Sequence, residues 1–338
     1  MIVCRGITLH RLALTLHNKK VIRHRHIGGL LMRALIILVP ILFSQISIVF
    51  AQNPYIREGS IGKQKEQTET SQKDPLSFRP IEKWVGEKFI FLPKSKSLKE
   101  YGYQSVIGGI GGKGIIVHPN YEECVGRIGT ITKVSDSYLE KITIQMDDNG
   151  QIYTGWGSDS IADIAPVADI DYARNKWLGK ILWYAREEIS TYNETTGEFG
   201  SIRLKIYSPV KVVDVVAGWS AHTPVRFILQ TPSGEEGFID VNLSGTNVSY
   251  ILIDCNRFEE FFFTEDPKKI YKWSSKVWTA IEGKKVFVGM TAEQARMSWG
   301  KPEEINKTIT GNGKNEQWVY GSGSYLYFDN GVLTGIQN

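Results

Sequence analysis

Histidine and cysteine are scarce: six His and three Cys are spread over 338 residues, and four of the histidines (His10, His17, His24, His26) fall within residues 1–31. The two that remain, His118 and His222, stand far apart and give no metal-ligand spacing. No Gly-x-Ser-x-Gly run occurs, which removes the nucleophile elbow of the α/β-hydrolases. No histidine follows His222, so Cys255 in "IDCNRF" lacks the downstream base of a Cys-His peptidase, and Cys124 has only His118 six residues before it. Acidic residues are absent from residues 1–51, which carry seven Lys and Arg; without that segment 33 basic residues face 36 acidic ones, a net charge near −3. The electrostatic support for nucleic-acid binding goes with it.

Two glycine- and aspartate-rich stretches come close to known motifs and miss. "GGIGGKG", Gly108–Gly114, holds a G-x-G-x-x-G at Gly109, Gly111 and Gly114, yet it runs into the β-branched "IIVHP" rather than the helix a pyrophosphate needs, so it reads as a mobile loop. "MDDNGQ", Met146–Gln151, matches only the start of a calcium loop and is better explained as a hairpin turn. The sequence therefore assigns no catalytic residue, no cofactor and no metal.

What is present begins with a leader. "MRALIILVPILFSQISIVFAQ" has a basic start at Arg33, an apolar stretch and small residues at Val49 and Ala51, the build of a secretory signal peptide cleaved after Ala51, with an uncleaved membrane anchor as the alternative. Residues 1–31 then read as an overlong start, 32–51 as the signal peptide and 52–80 as a flexible polar spacer, too poor in large apolar side chains to offset the entropy of ordering. The expected destination is the periplasm or cell envelope, with membrane contact only through the signal. In that oxidising setting Cys124 and Cys255 form a candidate disulfide, with two buried thiols as the alternative.

Residues 81–171 and 172–272 resemble each other. "EKWVGEKFIFLP" from Glu82 echoes "NKWLGKILWYAR" from Asn175, with Trp84 aligned on Trp177; each is followed by a Gly/Tyr connector, a Val/Ile-rich strand and a hairpin. Asp148-Asn149-Gly150 and Pro232-Ser233-Gly234 mark the hairpin turns. The pattern predicts two tandem all-β units, and their strand count and W-x-G start loosely resemble small SH3-like barrels.

Residues 273–338 read as α+β. Thr291 with Gln294 forms a capping box for a short helix that Gly300 and Pro302 end. A second helix is expected around "KWSSKVWTAIEG", and alternating strands follow, so two helices should pack on an antiparallel sheet. The series Gly289, Met290, Thr291, Gly300, Pro302, Trp318, Tyr320, Asn330 and Gly331 resembles the BamE-like (SmpA/OmlA) family of envelope lipoproteins, found in outer-membrane assembly. The resemblance implies a scaffold for protein contacts, with these residues mainly structural. The N-terminal lipidated Cys of that family has no counterpart after the apolar run.

The expected fold is thus mainly β, with two SH3-like units and a BamE-like α+β end. The expected function is a non-enzymatic interaction or scaffold protein that binds an envelope protein or itself. A cell-wall glycan binder and a cysteine hydrolase are the alternatives. Tyr101 and Tyr103, beside the glycine loop, and Trp156 and Trp219 are the candidate binding side chains.

Overall fold

Each W-x-G step turns the chain from a helical segment into a strand. Trp84 closes the 3-10 turn Ile81–Lys83, Gly86 takes φ 86°, and the strand Lys88–Phe91 follows. Trp177 ends the helix Val167–Trp177, Gly179 takes φ 78°, and the strand Ile181–Tyr184 follows. Both tryptophans are buried, so the step anchors the strand's start in a core while the glycine supplies a left-handed turn that a Cβ would oppose.

These elements belong to a computed structural model that describes residues 3–4, 7–8, 76–110, 116–311 and 313–338. The chain divides into two units, Met1–Lys73 and Asp74–Asn338. In the first, Val3–Cys4 pairs antiparallel with Ile7–Thr8. The expected signal peptide, most of the polar spacer and residues 111–115 of the glycine loop lie outside the described residues. Among those described, no helix is long and apolar enough to cross a membrane.

The second unit is mainly β and its sheets are antiparallel. The first large sheet has the order Ile164–Pro166, Lys88–Phe91, Ile128–Val134, Ile142–Met146, Ile152–Gly155, Val106–Ile107. The second runs Phe262–Phe263, Ile181–Tyr184, Ser208–Ser220, Thr223–Gln230, Glu236–Val241, Glu188–Asn193, Glu198–Arg203. The threading is alike in both. The W-x-G strand sits between the next long strand and the last one, a three-strand meander follows, and the first connection closes the far side, with one strand in the first sheet and a two-strand hairpin in the second. The repeat seen in the sequence is therefore a repeat of topology.

The two sheets are not separate beads. The helix Val167–Trp177 straddles the boundary expected at 171/172. Its Ile170, Ala173 and Trp177 join Leu92 and Ala165, from the first sheet, in the core built by Val212, Val215, Phe227 and Leu229 of the second. Residues 76–80, within the expected spacer, also take part in the fold: Leu76 packs on this core, and the Arg79 N–H donates to Thr246 Oγ1 at 3.1 Å. Trp84, Phe89, Phe91, Ile131 and Ile144 fill the first sheet's own core.

One turn differs from its expected form. At Asp148-Asn149-Gly150 only Gly150 has positive φ, 71°, and its N–H donates to the Met146 carbonyl at 2.9 Å. The four-residue loop frees two carboxylates for other work: Asp147 takes Lys88 at 2.7 Å, and Asp148 takes both Arg127 nitrogens at 2.6 and 2.8 Å.

The C-terminal part is a four-stranded meander, Glu304–Thr310, Gly313–Tyr320, Ser324–Asp329 and Val332–Gln337, with the helices Ser275–Glu282 and Ala292–Trp299 against it. The Thr291–Gln294 capping box is formed in both directions, at 3.2 and 3.0 Å. Trp278, Ile281, Met290, Trp318, Leu326 and Phe328 make its core, which extends to Ala185, Ile206 and Tyr207 of the second sheet. Tyr207 donates its hydroxyl to the Met297 carbonyl at 3.0 Å across that junction.

Candidate aromatic binding faces

In the second sheet the connection after the W-x-G strand is itself a hairpin, Glu188–Asn193 with Glu198–Arg203. Its register sets Tyr192 opposite Phe199, with ring centroids 4.9 Å apart. Trp219, at the end of Ser208–Ser220, meets Tyr192 at 4.7 Å and Phe199 at 5.5 Å, both nearly perpendicular, and Phe238 meets Trp219 at 5.6 Å. Such edge-to-face contacts add roughly 0.5–1.5 kcal/mol each beyond area burial. Phe199 remains 64% exposed.

A charge pair supports this cluster from below. Arg226 lies opposite Asp240 in the register, and its two nitrogens reach both carboxylate oxygens at 2.7 and 2.8 Å. The guanidinium carbon is 3.9 Å from the Trp219 ring centroid and 3.7 Å from that of Phe238. A planar cation between two rings, itself clamped by a carboxylate, holds the rings in place before any ligand arrives. Beside the cluster is an open depression of about 500 Å³ lined by Thr191, Tyr192, Asn193, Glu198, Phe199 and Gly200.

The first sheet has a smaller counterpart. Tyr138, in the connection between Ile128–Val134 and Ile142–Met146, is 54% exposed and lies 5.8 Å from Trp156. Trp156 Nε1 donates to the Gln104 carbonyl at 2.7 Å and the Gly157 N–H to the Tyr138 carbonyl at 3.0 Å, which ties the two aromatics to one corner of the sheet. Leu139 next to them is exposed as well.

The sequence-selected residues divide between surface and core. Trp156 and Trp219 are half-buried members of these two clusters, and Tyr101 is exposed. Tyr103 is not an exposed edge: it is fully buried, donates its hydroxyl to the Leu92 carbonyl at 2.9 Å and meets Phe91 edge-on at 5.1 Å. Gly102, at φ 57°, explains this placement. It packs so close that a Cβ would lie 2.5 Å from the Pro119 carbonyl oxygen, and it swings the next side chain inward. Tyr138, Tyr192, Phe199 and Phe238 escaped sequence analysis. The symmetry of Tyr192 and Phe199 about "NETTGE" was the available signal.

The expected pairing of Cys124 with Cys255 is corrected. Cys124 is a free, fully buried thiol, 3.5 Å from the Tyr153 hydroxyl. Burial pushes its pKa up, and the nearby Tyr153 and Arg127 only partly oppose that. His118 turns away to the Val106 carbonyl at 2.7 Å. A thiol held protonated is the reverse of what a nucleophile needs. No cluster of three or more His, Cys, Asp or Glu that could hold a metal occurs among the described residues.

The residues of the expected BamE-like series sit at both ends of the C-terminal sheet, Gly289, Asn330 and Gly331 at one and Gly300 and Tyr320 at the other. The Gly289 N–H donates to the Leu333 carbonyl, that of Leu333 to Met290, and that of Ala292 to Gly331, each at 2.8 Å. Gly289, Asn330 and Gly331 have φ of 99°, 48° and 78°. Gly300 ends the helix at φ 82° and Pro302 is buried just beyond it. Trp318 is core, and Tyr320 donates its hydroxyl to the Gly300 carbonyl at 3.1 Å. Every one of them has a turn, cap or core duty.

These features define a mainly-β chain with two repeated sheets, aromatic surface clusters and an α+β end. Neither a scan of protein-family models nor a search of curated proteins returns a match.

Proposed function

We propose that this chain is an exported, non-enzymatic binding protein of the bacterial envelope that recognises a protein partner through its aromatic faces. One observation carries the reading. Each of the two sheets presents an aromatic cluster at one of its connections: Tyr138 with Trp156 at the connection after Ile128–Val134, and Tyr192 with Phe199, Trp219 and Phe238 at the hairpin after Ile181–Tyr184. Preorganised aromatic side chains with an Arg behind them are the composition of interface hot spots.

The shared strand order supports the SH3-like reading of both units, with the W-x-G strand first. Two helices on a four-stranded meander, with the Gly289–Thr291 segment bridged to the last strand, support the BamE-like reading of residues 273–338. The buried, protonated Cys124 speaks against the cysteine hydrolase.

Crosslinking in intact cells tests the proposal, with a photoreactive residue in place of Phe199 and, separately, of Tyr138. Discrete protein adducts are expected at one or both positions. Absence of protein adducts at both positions would overturn this reading of the two faces.

A further inference from the structure

We infer that the outer face of the C-terminal sheet, the side away from the two helices, is a binding site for a neutral pyranose chain. The face carries a hydrogen-bonded ladder across all four strands. Asn306 Nδ2 donates to Gln317 Oε1 at 3.3 Å, Gln317 Nε2 donates to the Tyr327 hydroxyl at 3.2 Å, and that hydroxyl donates to Gln337 Oε1 at 2.8 Å. The strand register builds it: Asn306 is opposite Gln317, and Gln317 opposite Tyr327. Gly335 lies opposite Tyr327 on the last strand.

The ladder runs in one direction and is open at both ends. Asn306 Oδ1 is left as an acceptor on the first strand and Gln337 Nε2 as a donor on the last, neither with a partner among the described residues. Thr308, Asn315 and Thr334 flank it in a depression of about 220 Å³, smaller than the roughly 300 Å³ at which drug-sized pockets begin and suited to one ring-sized group. Among the described residues lining that depression, Glu316 is the only charged one, and its carboxylate is already held by Lys314 at 2.6 Å and Trp318 Nε1 at 3.1 Å.

The chemistry selects the ligand class. Fixed amides paired with hydroxyls, and one aromatic ring, match a ring that presents several hydroxyl groups and an apolar CH face. A phosphate-bearing ligand would need cations on this face, and Lys307 and Lys314 instead engage Glu316. A protein partner would ask for an apolar, aromatic-rich centre, which the clusters of the second sheet offer and this face does not. The site is separate from those clusters, so the two readings stand or fall independently.

Titration calorimetry of the purified full chain with chitotetraose and with cellotetraose tests the inference. Association with at least one is expected, unchanged when salt rises from about 50 to about 500 mM because no ion pair is involved. Tyr327→Ala and Gln317→Ala should each weaken it about tenfold or more, with the near-ultraviolet signal of buried Trp318 unchanged. Asn306→Ala, on the exposed edge strand, serves as a third variant that leaves the core untouched. No heat with either sugar up to about 5 mM, or equal affinity in all three variants, would overturn it.

Discussion

Asn247 pairs with Ile161 as if it were another strand. Its Oδ1 accepts the Ile161 N–H at 2.6 Å and its Nδ2 donates to the Ile161 carbonyl at 2.9 Å, while the second amide hydrogen reaches the Ile164 carbonyl at 2.6 Å. The side chain is buried and the residue sits at φ 62°, a conformation asparagine tolerates better than most. One side chain from the loop between Glu236–Val241 and Phe262–Phe263 thus satisfies three backbone groups beside the first sheet. Asn247→Ala should cost at least about 2 kcal/mol, because buried groups left unpaired cost roughly 1–3 kcal/mol each and do not add fully. Asn247→Asp should also destabilise, since a carboxylate cannot donate to the two carbonyls. Urea unfolding measures both, and an alanine variant within about 0.5 kcal/mol of the parent would refute the role.

Asp169 is the second polar tie, and it carries a pH signature. It is fully buried, accepts the N–H and hydroxyl of Ser244 on Oδ2 at 3.1 and 2.8 Å, and has no partner on Oδ1. Burial pushes its pKa above the usual carboxylate range, and the Ser244 hydrogen bonds with the charges of Arg79 and Arg257 only partly offset this. A folded-state pKa above the unfolded one means that the contribution is fully present below the unfolded value of about 4 and is lost as pH rises through the folded value. Asp169→Asn keeps an oxygen for Ser244 and removes the buried charge. The variant should therefore gain stability at pH 7.5, on the order of 1 kcal/mol, and little at pH 4. Thermal melts at the two pH values report the difference, and an equal shift at both would exclude a titrating Asp169.

The Arg226–Asp240 clamp and the Phe199 ring should separate stability from binding. Asp240→Ala leaves a nearly buried guanidinium without its carboxylate and should cost about 2–4 kcal/mol. Phe199→Ala, on an edge strand, loses its ring contacts with Tyr192 and Trp219 and should cost about 1–2 kcal/mol, leaving the fold intact, yet remove the crosslinked partner. Retention of the partner by Phe199→Ala and Trp219→Ala together would place the interface elsewhere.

Cys124 should be silent toward thiol reagents in the native protein. Its full burial and raised pKa both suppress the thiolate. Peptide mapping after iodoacetamide should find residue 124 unmodified in buffer and modified in denaturant. Rapid native labelling would contradict the packing against Tyr153.

Much of this was legible locally. The Thr291–Gln294 box and the Gly300-x-Pro302 stop act within one turn of chain, so the last helix could be read directly. The W-x-G steps likewise revealed the repeat, because a buried tryptophan and a positive-φ glycine act over three residues. Tyr103 was misplaced because alternation cannot say which way a side chain leaves a turn; Gly102 against Pro119 decides that, and it is a contact across the fold. The helix Val167–Trp177 was hidden for a similar reason. Its apolar stripe is short, and it becomes stable by packing between Ser208–Ser220 and Thr223–Gln230 of the second sheet, which follow it in the chain, and Lys88–Phe91 of the first, which precedes it.

The sequence by itself determined the mainly-β character, the two similar β segments and the caps and turns of the C-terminal α+β part, since these rest on spacing and on glycine, proline and aromatic positions. Tertiary structure alone decided that the β segments share a core and a polar seam at Asn247 and Asp169. It also decided that Cys124 is free, and that Tyr192, Phe199, Trp219 and Phe238 meet on one face. The physical reason is register: residues far apart in the chain become neighbours only when the strands carrying them pair, and no local periodicity encodes that pairing.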